Sequence, residues 1–186
     1  FSLQSAERVE FHVRRAPAEV GDEAGVWLSV KDGKGGQFGG LLGRVAGDKP
    51  ISIEWDGRLS KASALKGDSW PGLIRSWSSA GGRMSVKRGG LTAGDALIGV
   101  NSGSLGVGLD GRLSGVLDVS LRQAPQALAQ IGASGAIPPD RAAAAAAVAQ
   151  ARETGDVARA TLNFEAGQTT LGPVAIAPAP KVYEAN

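Results

Sequence analysis

The chain has 186 residues, among them 28 glycines, four Trp, four Phe, one Tyr and no cysteine; 20 basic and 18 acidic side chains give a net charge of +2. Charges this evenly balanced give no strong attraction to nucleic acid or to an anionic membrane, and the lack of cysteine excludes disulfides and thiolate metal sites. The length suits one domain, large enough to bury roughly 70% of the surface its unfolded form exposes, and no stretch reaches the ~18 apolar residues of a membrane span.

Residues Ala6–Arg15 (AERVEFHVRR) alternate, with Val9, Phe11 and Val13 on one side and Glu10, His12 and Arg14 on the other. That is the pattern of a half-buried strand. Gly25–Lys31 (GVWLSVK) predicts a second strand, and Gly33–Gly47 a glycine-rich loop. Ile51–Ser60 (ISIEWDGRLS) reads as a hairpin turning at Asp56-Gly57. The period then changes. Ser69 can cap, Pro71 suits a first helical turn and Gly81 can terminate, so Ser69–Gly81 predicts a short helix with Leu73, Ile74 and Trp77 on one face.

Period two returns over Gly82–Ala124. Four strands are expected, near Arg83–Lys87, Ala96–Val100, Leu105–Leu109 and Leu113–Leu121, with turns at Gly89-Gly90, Asn101-Ser102-Gly103 and Asp110-Gly111. Such short connections imply antiparallel neighbours. Pro125–Ile131 predicts one or two helical turns stopped by Gly132, and Pro138–Thr154, with six consecutive alanines, a longer helix ended by Gly155. An alternating strand through Ala160, Leu162 and Phe164, a turn at Gly167, a second short strand from Leu171 to Ile176 and a Pro-Ala-Pro exit close the chain. The pentapeptide DGRLS occurs at Asp56–Ser60 and at Asp110–Ser114, both times after an alternating run. It reads as shared turn chemistry; a single recurrence does not establish a repeat.

Catalytic signatures are scarce. Gly106–Gly111 (GVGLDG) has the spelling of a dinucleotide fingerprint, but such a loop must open a helix, and here another alternating strand follows. His12 is the only histidine and falls on the polar side of its strand. A hydrolase would have to use it, or a carboxylate pair, as base. Asp32, Asp56 and Asp110 each precede glycine in predicted turns, which accounts for them. Arg83, Lys87 and Arg88 are candidates for an anion contact, and Arg14 and Arg15 form a second basic pair. No aromatic residues interleave with these charges, unlike a single-strand nucleic-acid platform. Trp27, Trp55, Trp70 and Trp77 read as packing between helix and sheet or as the wall of an apolar groove.

The order of these segments carries a resemblance. AERVEFHVRRAP, GVWLSVKD, LDGRLSGVLDVSLRQAPQALAQIG and TLNFEAGQTTLGPVAIAPAP follow one another across most of the chain, from about Ser5 to Pro180. The landmarks are Gly111-Arg112-Leu113-Ser114-Gly115, Ala124-Pro125, Gly172-Pro173 and Pro178-Ala179-Pro180. Together they resemble the bacterial DUF2125 family, which has no assigned activity and so lends no catalytic residue. The resemblance implies the C-terminal part of a longer, periplasm-facing protein held at the inner membrane by an anchor outside this sequence. The strand pattern is also similar to that of AsmA-like envelope proteins, whose curved sheets can line an apolar groove.

The expectation is therefore an α+β fold over residues 1–186. A curved, mostly antiparallel sheet of eight or nine strands would carry two or three helices, including an alanine-rich one near 139–154. Apolar surface left over on such a sheet would mark a binding site. The function expected is non-enzymatic: an envelope module that binds a lipid or an envelope protein. No cofactor, metal or nucleic acid is expected. Leu105, Val107, Leu109, Leu117, Val119 and Leu121 are the candidate lining, though alternation is expected to divide them between faces, and Trp70 and Trp77 are the candidate rim. A hydrolase based on His12 or a carboxylate pair, and a scaffold in an envelope assembly, are the alternatives.

Overall fold

A computed structural model describes residues 5–17, 21–34, 49–93, 96–122, 124–133, 135, 137–155 and 157–184. Among these residues ten strands form one open, curved antiparallel sheet. They are β1 (Arg8–Arg15), β2 (Glu23–Gly33), β3 (Ile51–Ser60), β4 (Met84–Ala93), β5 (Ala96–Val107), β6 (Leu113–Arg122), β7 (Glu153–Thr154), β8 (Val157–Glu165), β9 (Gln168–Leu171) and β10 (Val174–Pro178). The order is β1-β2-β3-β4-β5-β6-β8-β9-β10, with β7 paired to β8 beside this path. Three α-helices lie among the same residues: α1 (Trp70–Ser79), α2 (Ala124–Ala133) and α3 (Pro139–Gln150). The fold is α+β, as the alternating and alanine-rich segments predict.

Register makes the sheet two-faced. Residues directly opposite each other in an antiparallel ladder point to the same side. One row runs Val13, Val26, Gly57, Val86, Gly103, Leu117, Leu162 and Leu171. A parallel row runs Phe11, Leu28, Trp55, Gly89, Val100, Val119 and Ala160. The same steps on the other face give His12, Trp27 and Asp56, and farther on Ser102, Asp118 and Thr161. One face is thus apolar from edge to edge and the other largely polar.

Two bulges preserve this sorting. Against β3, Asp56 pairs with Arg88 and Gly57 with Val86, leaving Lys87 as an extra residue on β4. Against β6, Val100 pairs with Val119 and Ser102 with Asp118, leaving Asn101 extra on β5. Apolar positions on β4 therefore switch from even (Met84, Val86) to odd (Gly89, Leu91). Those on β5 switch from even (Ile98, Val100) to odd (Gly103, Leu105). A one-residue slip turns every later side chain to the wrong face. Because the two extra residues sit side by side, their slips cancel, and β4 and β5 still pair apolar with apolar.

The helices cover only part of the apolar face. Ala124 and Leu128 of α2 and Ala145 and Ala149 of α3 share one buried cluster with Val100, Leu117, Val119, Leu121, Ala158, Ala160 and Phe164. Alanine brings helix and sheet close because its side chain is a single methyl group. The two helices also approach each other closely: a Cβ at Gly132 would stand 2.7 Å from that of Ala142. Helix α1 lies near the end of the sheet where β3 finishes and β4 begins. Ser69 caps it, its Oγ accepting from the Gly72 N–H at 3.3 Å. Trp77 is buried there, its indole N–H donating to the Ser60 carbonyl at 2.7 Å. A Cβ at Gly82 would lie 2.2 Å from that indole nitrogen.

Several expected turns are strand interiors instead. Ile51–Ser60 is one continuous strand, not a hairpin. Gly57 is needed for close approach, since a Cβ there would stand 2.9 Å from the Ser85 carbonyl oxygen. The four strands expected over Gly82–Ala124 are three, because β4 runs through Gly89-Gly90 and β5 through Asn101-Ser102-Gly103. The break in alternation that suggests a turn is the bulge. Conversely, Leu171–Ile176 is not a strand but straddles the β9–β10 turn at Gly172, where φ is +55°. Gly132 lies inside α2, and α3 ends at Gln150, so that Glu153–Thr154 form β7. The two DGRLS copies differ: Gly57 is mid-strand, whereas Gly111 has φ +78° in the β5–β6 turn. The expected glycine-rich loop falls mostly on residues outside those described.

Gly115 is the most constrained glycine of the central strands. Its φ is +124°, and a Cβ would stand 2.1 Å from the Ser104 carbonyl oxygen. Gly115→Ala is expected to lower stability by at least about 1–3 kcal/mol, the ordinary cost of a strained backbone position, read as a fall in the denaturant midpoint. A second fastening joins the β1–β2 connection to the turn after β3. Ser63 donates to the two Asp22 carboxylate oxygens, from its N–H at 2.8 Å and from its hydroxyl at 2.6 Å. These bonds, the hydroxyl's first, hold the Asp22 carboxyl below the usual aspartate range. A depressed folded-state pKa means the fastening is fully present above the ordinary Asp value and is lost as pH falls through the lowered one. Carbon-13 NMR titration should find Asp22 protonating below that ordinary value, and Ser63→Ala should move its midpoint upward.

Candidate binding face

The predicted groove residues separate into different environments. Leu105, Val119 and Leu121 are 4%, 1% and 8% exposed, and they belong to the core shared with α2 and α3. Leu117 is buried beside them. Alternation does not divide these residues between faces as expected. Leu105 pairs with Gly115 and Val107 with Leu113, so the odd positions of β6 and, past the bulge, those of β5 lie on the apolar face. Val107 is half-buried. Leu109 has left the strand and stands 80% exposed in the following turn. Four of the expected lining residues, Leu105, Leu117, Val119 and Leu121, are therefore core, packed in one cluster with residues of α2 and α3.

The expected rim divides too. Trp77 is buried in the α1 packing. Trp70 is largely exposed, but its indole N–H donates to the Val182 carbonyl at 3.0 Å, tying α1 to the C-terminal segment. Tyr183 completes that contact, with the Arg75 guanidinium 5.6 Å from its ring centroid.

The open part of the apolar face lies at the other end of the sheet. Val9, Phe11 and Val13 are 52%, 64% and 56% exposed, although they continue the same rows that are buried under the helices farther along. Val26, Leu28, Val30, Ile53 and Trp55 beside them are half-buried. Trp55 lies low on the surface: a Cβ at Gly89 would stand 3.0 Å from its Cε3, and one at Gly57 3.5 Å from its Nε1. That Nε1 is buried with no hydrogen-bond partner, which costs stability unless it is met. Three contiguous strands thus present an aliphatic and aromatic surface rimmed by charge. The alternation of Gly25–Lys31 already contains Val26, Leu28 and Val30; what the sequence does not mark is that the helices stop short of them.

The polar face holds the remaining candidates. His12 is exposed, with its ring centroid 5.2 Å from that of Trp27. This ring contact is with a residue that offers no catalytic acid. Arg83 donates from Nε to the Ser104 hydroxyl at 3.0 Å, and Arg88 lies 3.9 Å from a Glu54 carboxylate oxygen. Lys87 is the exposed bulge residue. Two of these three cations already have partners, so they do not form a bare anion site. Asp118 accepts from the Ser102 hydroxyl at 2.9 Å beside a shallow depression that Arg152 and Arg159 also line. Among the described residues no three His, Asp or Glu side chains cluster as metal ligands, and no helix is long and apolar enough to cross a membrane.

These features define a class: an open antiparallel sheet with a partly helix-clad apolar face and a solvent-facing polar one. The chain belongs to the DUF2125 family, described as "Uncharacterized protein conserved in bacteria", whose model matches residues 1–180. No curated protein and no solved structure matches it.

The division between core and surface leucines can be tested directly. Leu121→Ala should cost about 2–5 kcal/mol, as for other buried leucines, whereas Leu109→Ala should stay within about 0.5 kcal/mol of the parent. Chemical denaturation of the two variants side by side reads both.

Proposed function

We propose that this chain is a non-enzymatic binding module of the bacterial cell envelope, on the periplasmic side, and that it takes a lipid or another apolar ligand on the uncovered apolar face of β1–β3. The observation that carries the reading is the exposure of Val9, Phe11 and Val13 on the same face that forms the core elsewhere. Contiguous exposed apolar surface rimmed by polar residues marks an interaction site more often than a plain solvent boundary. Leu28 and Trp55 extend it inward across two further strands. Acyl chains need such a surface and no particular hydrogen bonds, which suits a face without polar anchors. Envelope placement rests on the family resemblance.

Protein purified from bacterial membranes, examined by native mass spectrometry and then extracted with organic solvent, should carry a lipid. A fluorescent long-chain fatty acid should bind the delipidated protein. Leu28→Glu should weaken that binding roughly tenfold or more, since it replaces a contact worth about 1.5–3 kcal/mol with a charge. The milder double variant Val26→Thr with Val30→Thr keeps the β-branched shapes and should weaken binding in the same direction if the first variant folds poorly. No extractable lipid together with no effect of either variant would overturn the reading.

A further inference from the structure

The two edges of the sheet differ. Strand β10 has five residues, a bulge between Ala175 and Ala177, and Pro178 at its end. Short length, a bulge and proline all discourage a further strand from pairing. Strand β1 has eight residues, no proline, and an unbroken register against β2 from Arg8 to Arg15. The Ala16 N–H donates to the Glu23 carbonyl, one step beyond the Arg15–Ala24 pair. In an antiparallel ladder hydrogen-bonded and non-hydrogen-bonded pairs alternate. The even residues of β1 therefore bond to β2, and the odd residues Val9, Phe11 and Val13 turn their N–H and C=O groups to the open edge. These same three carry the most exposed apolar side chains of the strand.

We infer that a second copy of this chain pairs with β1, antiparallel and about a twofold axis at Phe11, to continue one sheet across two chains. A twofold axis normal to the sheet keeps both apolar faces on the same side. Since side chains alternate, only registers that match odd residues with odd ones are allowed. Centred on Glu10, the pairing would set Glu10 against its own copy and leave Val13 without an apolar partner. Centred on His12, it would set Arg15 against Val9. Centred on Phe11, it sets Phe11 against Phe11, Val9 against Val13 and Glu10 against His12. This register leaves every apolar side chain of β1 opposite an apolar one and sets its one acid, Glu10, against a base. Its one like-charge contact, Arg8 with Arg14, is softened because Arg8 already bonds Glu10. Head-to-tail growth of β1 onto β10 is opposed by Pro178 and the β10 bulge, so the assembly closes at two chains.

The test uses delipidated protein, so it does not depend on the apolar-ligand reading; Leu28, which probes that reading, lies one strand in from the edge. Sedimentation over a wide dilution series should show a mass of twice the chain that dissociates on dilution. Val9→Lys combined with Val13→Lys places lysine opposite lysine in this register. It should raise the dissociation constant at least tenfold while the circular dichroism stays that of the parent. Because the chain has no cysteine, a single introduced thiol gives a second readout that tolerates a folding defect in the lysine variant. Under mild oxidation Phe11→Cys should form disulfide-linked dimers much faster than Leu109→Cys, which is exposed but distant from the edge. A monomer at all concentrations would overturn the inference and leave the edge to a partner of other sequence. So would a dimer indifferent to the lysines, or equal crosslinking at the two cysteine positions.

Discussion

Everything in this molecule depends on keeping one face of a long sheet apolar. Hydrogen bonds hold the strands in ladders, but they would form as readily in a register one residue off. What selects the register is the cost of turning Val119, Val100 and Ala160 toward water while Asp118, Ser102 and Thr161 turn toward α2 and α3. A shift by one residue makes that exchange along the whole strand. The paired bulges at Lys87 and Asn101 follow from the same constraint. Each would invert its strand alone; placed side by side, they let both strands bend without mixing the faces.

Glycine serves the same end by a different route. Gly57, Gly89 and Gly103 stand on the apolar face in rows otherwise made of larger apolar residues. Trp55 spreads over the space left by Gly57 and Gly89, and the Leu117 side chain lies within 2.6 Å of where a Cβ of Gly103 would be. The alanines of α3 play the complementary part, letting a helix lie close to strands that themselves carry alanine, such as β8 at Ala158 and Ala160. The result is a core built by close approach more than by large side chains, which suits a chain with few aromatic residues.

The functional consequence lies in where this packing stops. The buried cluster takes in β4 to β6 and β8 to β10 but no residue of β1 or β2. The apolar rows continue beyond it to the edge, where Phe11 and its neighbours face solvent. A face that is core at one end and surface at the other can receive an apolar molecule, a second sheet edge, or both, without any catalytic group. The polar face offers less: Arg83 and Arg88 already have partners, and its single histidine rests beside an indole.

The sequence by itself determined the class of fold and most of its parts. Alternation in AERVEFHVRR and LSGVLDVSLR, the Ser69 cap with Pro71, and the alanine run each have a local physical cause that the folded chain keeps. Sequence order also sufficed to place the chain in its family. Tertiary structure alone decided whether an interruption is a turn or a bulge. The same DGRLS bends back on itself at Gly111 and runs straight at Gly57, because only in the second case do strands lie against it on both sides. It also decided which apolar residues are core. Leu121 and Phe11 look alike in an alternating pattern, and nothing in that pattern says which strands α2 and α3 will cover. That choice depends on where the helices pack after the sheet has formed, and it separates a buried leucine from an exposed binding surface.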